Sequence, residues 1–341
     1  MDRTNWREVT AWVRRQNHFR LAHASKVWAT YHWQKLTDGF LLPEMPLSLS
    51  IETGTACNLR CPECPSGLKS FTRPQGKLNL DFFRSVLDEV HPWLMNLNLY
   101  FQGEPLLHPE FHEFAAYASS KNIFTRTSTN GHFLDESSAK ELIDSGIDSI
   151  TVSVDGITQE VYESYRIGGN LGKVLEGIRN LSEARKKSKR ITPVIRLQFL
   201  VTGVNEHQLN GVRDLASKVG ADRVDFKSVQ VYDFEKGSRL ISATKHYARY
   251  QKTVSGNWTI KNDLENHCWR MWSGSVITWD GKVVPCCFDK DAKHSLGNLQ
   301  QQSFRSIWKS EAYNSFRISV LKSRRDVDIC ANCTEGLKLV N

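Results

Sequence analysis

The stretch LSLSIETGTACNLRCPECPSG (residues 47–67) runs a β-rich segment, LSLSIETG (47–54), directly into three cysteines. Cys57, Cys61 and Cys64 stand at C-x3-C-x2-C spacing. Outward from this point the chain alternates short β-rich runs with helical patterns. The further strand candidates are NLNLYF (96–101), FTRTSTN (124–130), SITVSV (149–154), VIRLQFLV (194–201) and RVDFKSV (223–229). Between them, residues 80–94, 109–122, 135–146, 172–187 and 207–220 read as helices. Six strands alternating with helices imply right-handed βαβ units and a parallel sheet. About 190 residues are too few for a complete eight-fold barrel, so the expected class is α/β, a partial (β/α)6 TIM barrel.

Turn signals fall where these strands end. Gln102-Gly103-Glu104-Pro105 follows the second, Asn130-Gly131 the third and Asp155-Gly156 the fourth, while the cysteine triplet follows the first. In parallel α/β folds the C-terminal strand ends carry the site. Four signals on one rim therefore predict an active site there.

The eight cysteines fall in two sets, with none between Cys64 and Cys268. The second set is Cys268, Cys286, Cys287, Cys330 and Cys333. Three thiolates within eight residues suit three corners of an iron–sulfur cube and leave the fourth open to an outside molecule. The rival is zinc, because C-x2-C at Cys61/Cys64 and at Cys330/Cys333 also suits a four-sulfur site.

Around this core the expected organisation is a helical extension (1–46), the barrel (47–235), a polar linker without periodicity (236–266) and a small cysteine-rich domain (267–341). In the last, ITWDGKVVPCC reads as a hairpin about Asp280-Gly281, and 303–323 as a helical stretch. A domain of that size needs a metal staple. The extension holds Trp6, Trp12, Trp28 and Trp33, four of the ten tryptophans. Its helical spacing fits either packing on the barrel or an amphipathic helix on a membrane surface.

Composition is globular, with 341 residues, 40% apolar and 24% charged. No apolar run reaches membrane-spanning length and MDRTNWREVTAWVRRQ has no signal-peptide core, so the expected location is cytoplasmic. The formal charge is +8. Seven Lys/Arg against three Asp/Glu in residues 1–40 supply half of it, and the rest is too dispersed for a nucleic-acid groove.

CNLRCPEC, followed by QGEP after the second strand, resembles the radical S-adenosylmethionine superfamily. The resemblance implies a 4Fe-4S cluster on Cys57, Cys61 and Cys64, whose open iron chelates S-adenosylmethionine (AdoMet). One-electron reduction then yields a 5′-deoxyadenosyl radical that abstracts a substrate hydrogen. Gln102, Gly103, Glu104 and Pro105 match the GGEP motif that meets the methionine amine, with Gln in place of the first glycine. Ser128, Asn130, Ser153 and Asp155 match strand-end contacts to the ribose and methionine, and Arg166 the arginine that meets the carboxylate. The residue before the third cysteine, often aromatic, is Glu63. The C-terminal segment is similar to SPASM/twitch extensions, closest to the one-cluster twitch type. That likeness implies an auxiliary 4Fe-4S cluster on Cys268, Cys286, Cys330 and Cys333, with Cys287 as the alternate to Cys286.

An auxiliary cluster with four protein ligands suits an electron acceptor. Loss of hydrogen from a carbinol carbon, then of an electron and a proton, gives a ketone. Asp225, Lys227 and Asp289 are the proton-acceptor candidates. Three readings follow: oxidation of a small polyol, sugar or aminocyclitol; modification of a ribosomally made peptide or protein; and a zinc-stabilised binding module. The helical 46 residues ahead of the barrel do not form the winged peptide-recognition domain of many maturases, which favours the small molecule. The expected electron donor is of the flavodoxin or ferredoxin kind, with no nucleic-acid partner.

Overall fold

A computed structural model of the chain describes residues 3–37, 40–261 and 263–333. Two helices, α1 (Arg3–Arg15) and α2 (His18–Leu36), precede six parallel strands. These are β1 (Ser48–Ile51), β2 (Asn96–Asn98), β3 (Phe124–Thr129), β4 (Ser149–Ser153), β5 (Val194–Val201) and β6 (Arg223–Ser228). Each pairs with the next in chain order. The connections carry α3 (Pro65–Leu68), α4 (Leu80–Val90), α5 (Phe111–Ser120), α6 (Glu136–Asp144), α7 (Gln159–Tyr165), α8 (Leu171–Lys187) and α9 (Leu209–Val219). Asn79, Asp135 and Asn170 cap α4, α6 and α8 by accepting backbone N–H groups, so these helices start where the sequence says they should.

Alternation along the strands separates two faces. Leu49, Ile51, Leu97, Ile150, Val152, Leu197 and Phe199 are buried against the helices. The opposite, concave face is polar, with Ser50, Asn98, Arg126, Ser128, Thr151, Arg196, Gln198, Asp225 and Lys227. The polar face is reached by solvent and partly satisfied by its own ion pairs, in contrast to the apolar face packed on the helices.

The C-terminal segment adds β7 (Tyr250–Lys252), β8 (Trp258–Ile260), α10 (Arg270–Ser273), β9 (Gly274–Ile277), β10 (Lys282–Val284), β11 (Gly297–Asn298), α11 (Phe304–Trp308) and α12 (Glu311–Ser323). The expected β9–β10 hairpin is present, with Gly281 at φ +86° in its turn. It does not stand apart from the barrel: β9 pairs in parallel with β1 and extends the same sheet. This covers the β1 edge, whose backbone would otherwise lack partners. The helical stretch 303–323 is broken before Ser310, whose side chain caps α12 through the Tyr313 N–H. The domain expected to reach residue 341 is described to Cys333; the residues after it lie outside the described set.

Residues 236–266, read from the sequence as a linker, need correction. They contain the antiparallel β7–β8 pair. Tyr250 there is buried, stacks on Phe234 at 4.7 Å and donates its hydroxyl to Asn332 Oδ1 at 2.9 Å. The aromatic pair gives this polar segment a buried anchor that a period-based reading does not detect.

The N-terminal helices cover the rim opposite the cysteine triplet. Arg15 binds Asp148 and the Ser119 and Gly146 carbonyls, while Arg20 donates to the Asn122, Lys121 and His91 carbonyls, all in loops leading into strands. Their outer faces keep Trp6, Trp28 and Trp33 about half exposed. Among the described residues no helix is long and apolar enough to cross a membrane.

A buried ion pair joins the barrel to the C-terminal segment. Arg73 grips Glu52 through two bonds of 2.8 and 2.5 Å, and Glu52 also accepts the Trp279 N–H. Both side chains are almost wholly shielded, so Arg73→Ala leaves a buried carboxylate alone. The expected loss is about 3–5 kcal/mol of stability, read by denaturant melts.

Candidate active site

The loop after β1 is shaped by glycines that permit close backbone contact. A Cβ on Gly67 would stand 2.6 Å from the Cys61 nitrogen, and one on Gly103 2.3 Å from the Gly54 carbonyl oxygen. Gly103 also has φ +73°, a left-handed conformation that glycine adopts without strain. QGEP is thereby laid against the cysteine loop. The Glu104 N–H donates to the Ala56 carbonyl at 2.7 Å, and the Gly103 N–H to Ser66 Oγ at 2.8 Å.

Cys57, Cys61 and Cys64 share one apolar pocket with Leu59, Tyr165, Val229, Val231 and Tyr250. Burial pushes the Cys57 thiol up and the Cys61 thiol to about 11. Arg166 Nη1 lies 3.8 Å from Cys61 Sγ, and Asn130 Nδ2 lies 3.9 Å from Cys57 Sγ. Among the described residues no three His, Cys, Asp or Glu side chains converge on a single-ion position. Three thiols in one pocket with cationic and amide donors at the sulfurs fit an iron–sulfur cluster.

The polar residues expected at the rim form one bonded network. Glu104 is buried and accepts from Thr129 Oγ1 at 2.6 Å, the Asn130 N–H at 2.7 Å and the Leu106 N–H at 3.1 Å. Burial raises its pKa despite these donors. Its oxygens tie QGEP to the end of β3. Asn130 donates to Asn58 Oδ1 and accepts from His132, whose Nε2 accepts the Asn170 N–H. Asp155, fully buried, takes Arg166 Nε at 2.5 Å and the Leu200 N–H at 2.7 Å. Burial works against the Arg166 charge, yet Asp155 and Cys61 hold its pKa well above the ordinary value. Ser128 and buried Ser153 sit one strand apart, on β3 and β4, beneath this network; Gln102 and Pro105 are buried beside it. Glu63, where an aromatic is common, accepts the Tyr232 N–H at 2.9 Å and ties the cysteine loop to the chain after β6.

The second thiol set divides in two. Cys268, Cys286 and Cys330 share a cluster with Val27 of α2, Met271, Trp272 and Val320. Cys333 is buried nearby, and Arg324 Nη2 lies 3.3 Å from its sulfur. Burial pushes the Cys330 thiol up to about 12, with Cys333 and Cys268 adding to the rise. Cys287 packs instead with Phe101, Val276 and Val284, with Tyr100 and Lys227 near its side chain. The grouping favours Cys286 as a ligand. Cys286→Ala is therefore expected to remove about four irons per chain, and Cys287→Ala none, by iron assay and absorbance. The wall supplied by α2 was not foreseen, since Val27 lies far from these cysteines in sequence.

The three proton-acceptor candidates separate as well. Asp225 is held by Arg196 at 2.7 Å and Arg223 at 2.8 Å. Asp289 is buried and accepts the Lys293 and His294 N–H groups, a loop-forming role. Lys227 faces the lumen and, among the described residues, makes no hydrogen bond or ion pair. Its side chain is exposed to the lumen, and desolvation by the surrounding walls lowers its pKa, with Asp225 opposing the shift and Arg196 assisting it.

A groove of about 530 Å³ leaves the cysteine loop between Leu68, Phe71, Tyr232, Phe288, Lys290 and Asn332. A smaller cavity of about 220 Å³ lies against Ser50, Asn98, Arg270, Cys286 and Cys287.

Comparison with known proteins places this geometry. Residues 51–216 match the Radical SAM superfamily, and residues 268–334 match SPASM, an iron-sulfur cluster-binding domain. The tungsten-containing aldehyde ferredoxin oxidoreductase cofactor-modifying protein of Pyrococcus furiosus is 26% identical over 296 residues, 79% of this chain and 82% of that one. The PqqA peptide cyclase of Gluconobacter oxydans is 26% identical over 300 residues, 81% and 80% of the two chains. The structure of BtrN in complex with AdoMet and 2-DOIA matches with a TM-score of 0.53 and 18% identity, covering 85% of this chain and 94% of that one. The two family matches bring their cofactors: a 4Fe-4S cluster with AdoMet in the barrel and auxiliary iron–sulfur chemistry beyond it. The zinc-module reading is set aside, because both thiol sets fall in these matches. The chain belongs to the radical SAM superfamily and carries a C-terminal SPASM domain.

Proposed function

We propose that the protein is an oxidoreductase that removes two electrons and a proton-equivalent pair from a C–H-bearing polar substrate, a small polyol, sugar or aminocyclitol. The observation that carries this reading is the polar lumen together with two thiol sets: Cys57, Cys61 and Cys64 at the rim, and Cys268, Cys286, Cys330 and Cys333 in the C-terminal segment. When bound, AdoMet and the first cluster supply hydrogen-atom abstraction, and the auxiliary cluster supplies a one-electron sink. Cys57, Cys61 and Cys64 hold the first of these, with Arg166 and Asn130 beside the sulfurs. Gln102–Pro105, Ser128, Ser153 and Asp155 shape the AdoMet seat. Lys227, as the neutral amine, accepts the hydroxyl proton as the carbonyl forms. The electron for AdoMet comes from a donor of the flavodoxin or ferredoxin kind, and the compartment is the cytoplasm, where thiols stay reduced.

The peptide-maturase reading has its own support. The 530 Å³ groove is open and lined by Phe71, Tyr232 and Phe288, which suits an extended chain entering beside the cysteine loop. A relative named as a peptide cyclase points the same way. Anaerobic incubation with dithionite, AdoMet and carbinol-deuterated polyols discriminates the readings. Deuterium in 5′-deoxyadenosine with equimolar ketone supports the first. Transfer from deuterated peptide alone replaces it by the second.

A further inference from the structure

The lumen carries more positive charge than the protein neutralises. On the concave face, Arg196 and Arg223 share Glu8 and Asp225 in a closed set of ion pairs. Asp148 is taken by Arg15. Arg126 on β3 is left out. Among the described residues it forms no ion pair, and its Nη2 reaches Asn96 Oδ1 at 3.5 Å, the limit of a hydrogen bond. Its guanidinium lies 5.0 Å from the Phe124 ring centre, and its Nε is buried without a partner. Burial opposes this charge, with Glu8 and Tyr100 only partly offsetting the effect. Arginine does not escape by losing its proton. A half-buried guanidinium without a counter-charge is costly, and an anion removes that cost.

The surroundings supply matching donors. Ser50, Asn98 and Arg126 lie in register across β1, β2 and β3, and Asn98 Nδ2 donates to Ser50 Oγ at 3.0 Å. The 220 Å³ cavity rests on Ser50 and Asn98 and is faced by Arg270 from the C-terminal segment. Burial raises the Tyr100 pKa, with Cys287 adding to the rise and Arg126, Arg270 and Arg196 only partly opposing it.

We propose that the lumen over Arg126 is a carboxylate subsite: the substrate carries a carboxylate that docks on the Arg126 guanidinium, with Asn98 and Ser50, in register beside it on β2 and β1, as further donors. The inference rests on the oxidative reading above and narrows its substrate class from neutral polyols to hydroxy acids of the sugar-acid kind. A planar carboxylate matches the guanidinium fork, which a neutral hydroxyl does not.

The test compares melting of the reconstituted wild type and Arg126→Gln in a buffer free of carboxylates and phosphate. A counter-charge missing from the free protein makes Arg126→Gln melt higher, by about 3 °C. Millimolar glutarate then raises the wild-type melting point and leaves Arg126→Gln unmoved, while uncharged glutaramide moves neither. Arg126→Lys keeps the charge without the fork and retains part of the glutarate effect. A lower melting point for Arg126→Gln, or glutarate acting equally on both proteins, makes Arg126 a structural residue and overturns the proposal. Stabilisation by inorganic phosphate at equal ionic strength with none by glutarate also overturns the carboxylate assignment. Dithionite-driven AdoMet cleavage by the wild type, measured without any substrate, tests the radical reading separately. Its failure together with an Arg126-dependent glutarate shift sinks that reading and leaves the anion site standing.

Discussion

Replacing Cys57, Cys61 and Cys64 together by Ala is expected to abolish 5′-deoxyadenosine release under anaerobic reduction with dithionite. The three thiols lie in one apolar pocket, held by the Gly67 and Gly103 close contacts and by the QGEP hydrogen bonds. No other thiol shares this pocket among the described residues, so nothing nearby replaces them. The loop itself is fixed by backbone bonds that do not involve sulfur, such as Arg60 N–H to the Ile167 carbonyl and Glu104 N–H to the Ala56 carbonyl. The variant should therefore keep its far-ultraviolet dichroism and its C-terminal iron. Persisting AdoMet cleavage would move the catalytic centre elsewhere.

The second large effect is expected at Lys227. Lys227→Met keeps the length of the stem and removes the amine, and carbonyl formation should fall by about 100-fold or more. Hydrogen abstraction precedes the proton step, so the ratio of 5′-deoxyadenosine released to carbonyl formed should rise above one. The pH dependence follows from the direction of the shift. The lumen walls lower the pKa of Lys227 although its side chain is exposed to the lumen, so the neutral base becomes abundant at a lower pH than for an ordinary lysine. Carbonyl formation should climb by about tenfold per pH unit below that pKa and level off above it. Lys227→Met should lose this limb of the profile. An unchanged ratio and profile would pass the proton-acceptor role to another group.

The barrel was legible because its signals are local. Each strand candidate from 47–54 to 223–229 contains an observed strand, and α8 and α9 lie within a residue or two of their helical patterns. The cysteine triplet and QGEP were legible because spacing fixes them. What escaped depends on contacts far apart in the chain. The union of β9 with β1 joins residues more than 200 apart and leaves no local mark. Asp225 read as a free base because its partner Arg196 comes from β5, where Glu8 of α1 shares the same guanidinium. Glu104 read as a ligand contact, yet its oxygens turn inward to Thr129 and Asn130. Arg126 drew no notice in FTRTSTN, since an arginine in a strand reads as a surface residue until the sheet curls its polar face inward. The β7–β8 pair had a findable signal: YQKTV and NWTI flank Ser255-Gly256, a turn dipeptide within an otherwise polar stretch.

Iron and zinc per chain in the anaerobically reconstituted wild-type protein decide the matter most directly. About eight irons with no zinc are expected, four on the barrel cysteines and four on Cys268, Cys286, Cys330 and Cys333. About four irons would leave the C-terminal thiols without a cluster and remove the electron sink that the proposed oxidation requires. Stoichiometric zinc without iron would contradict the radical chemistry itself.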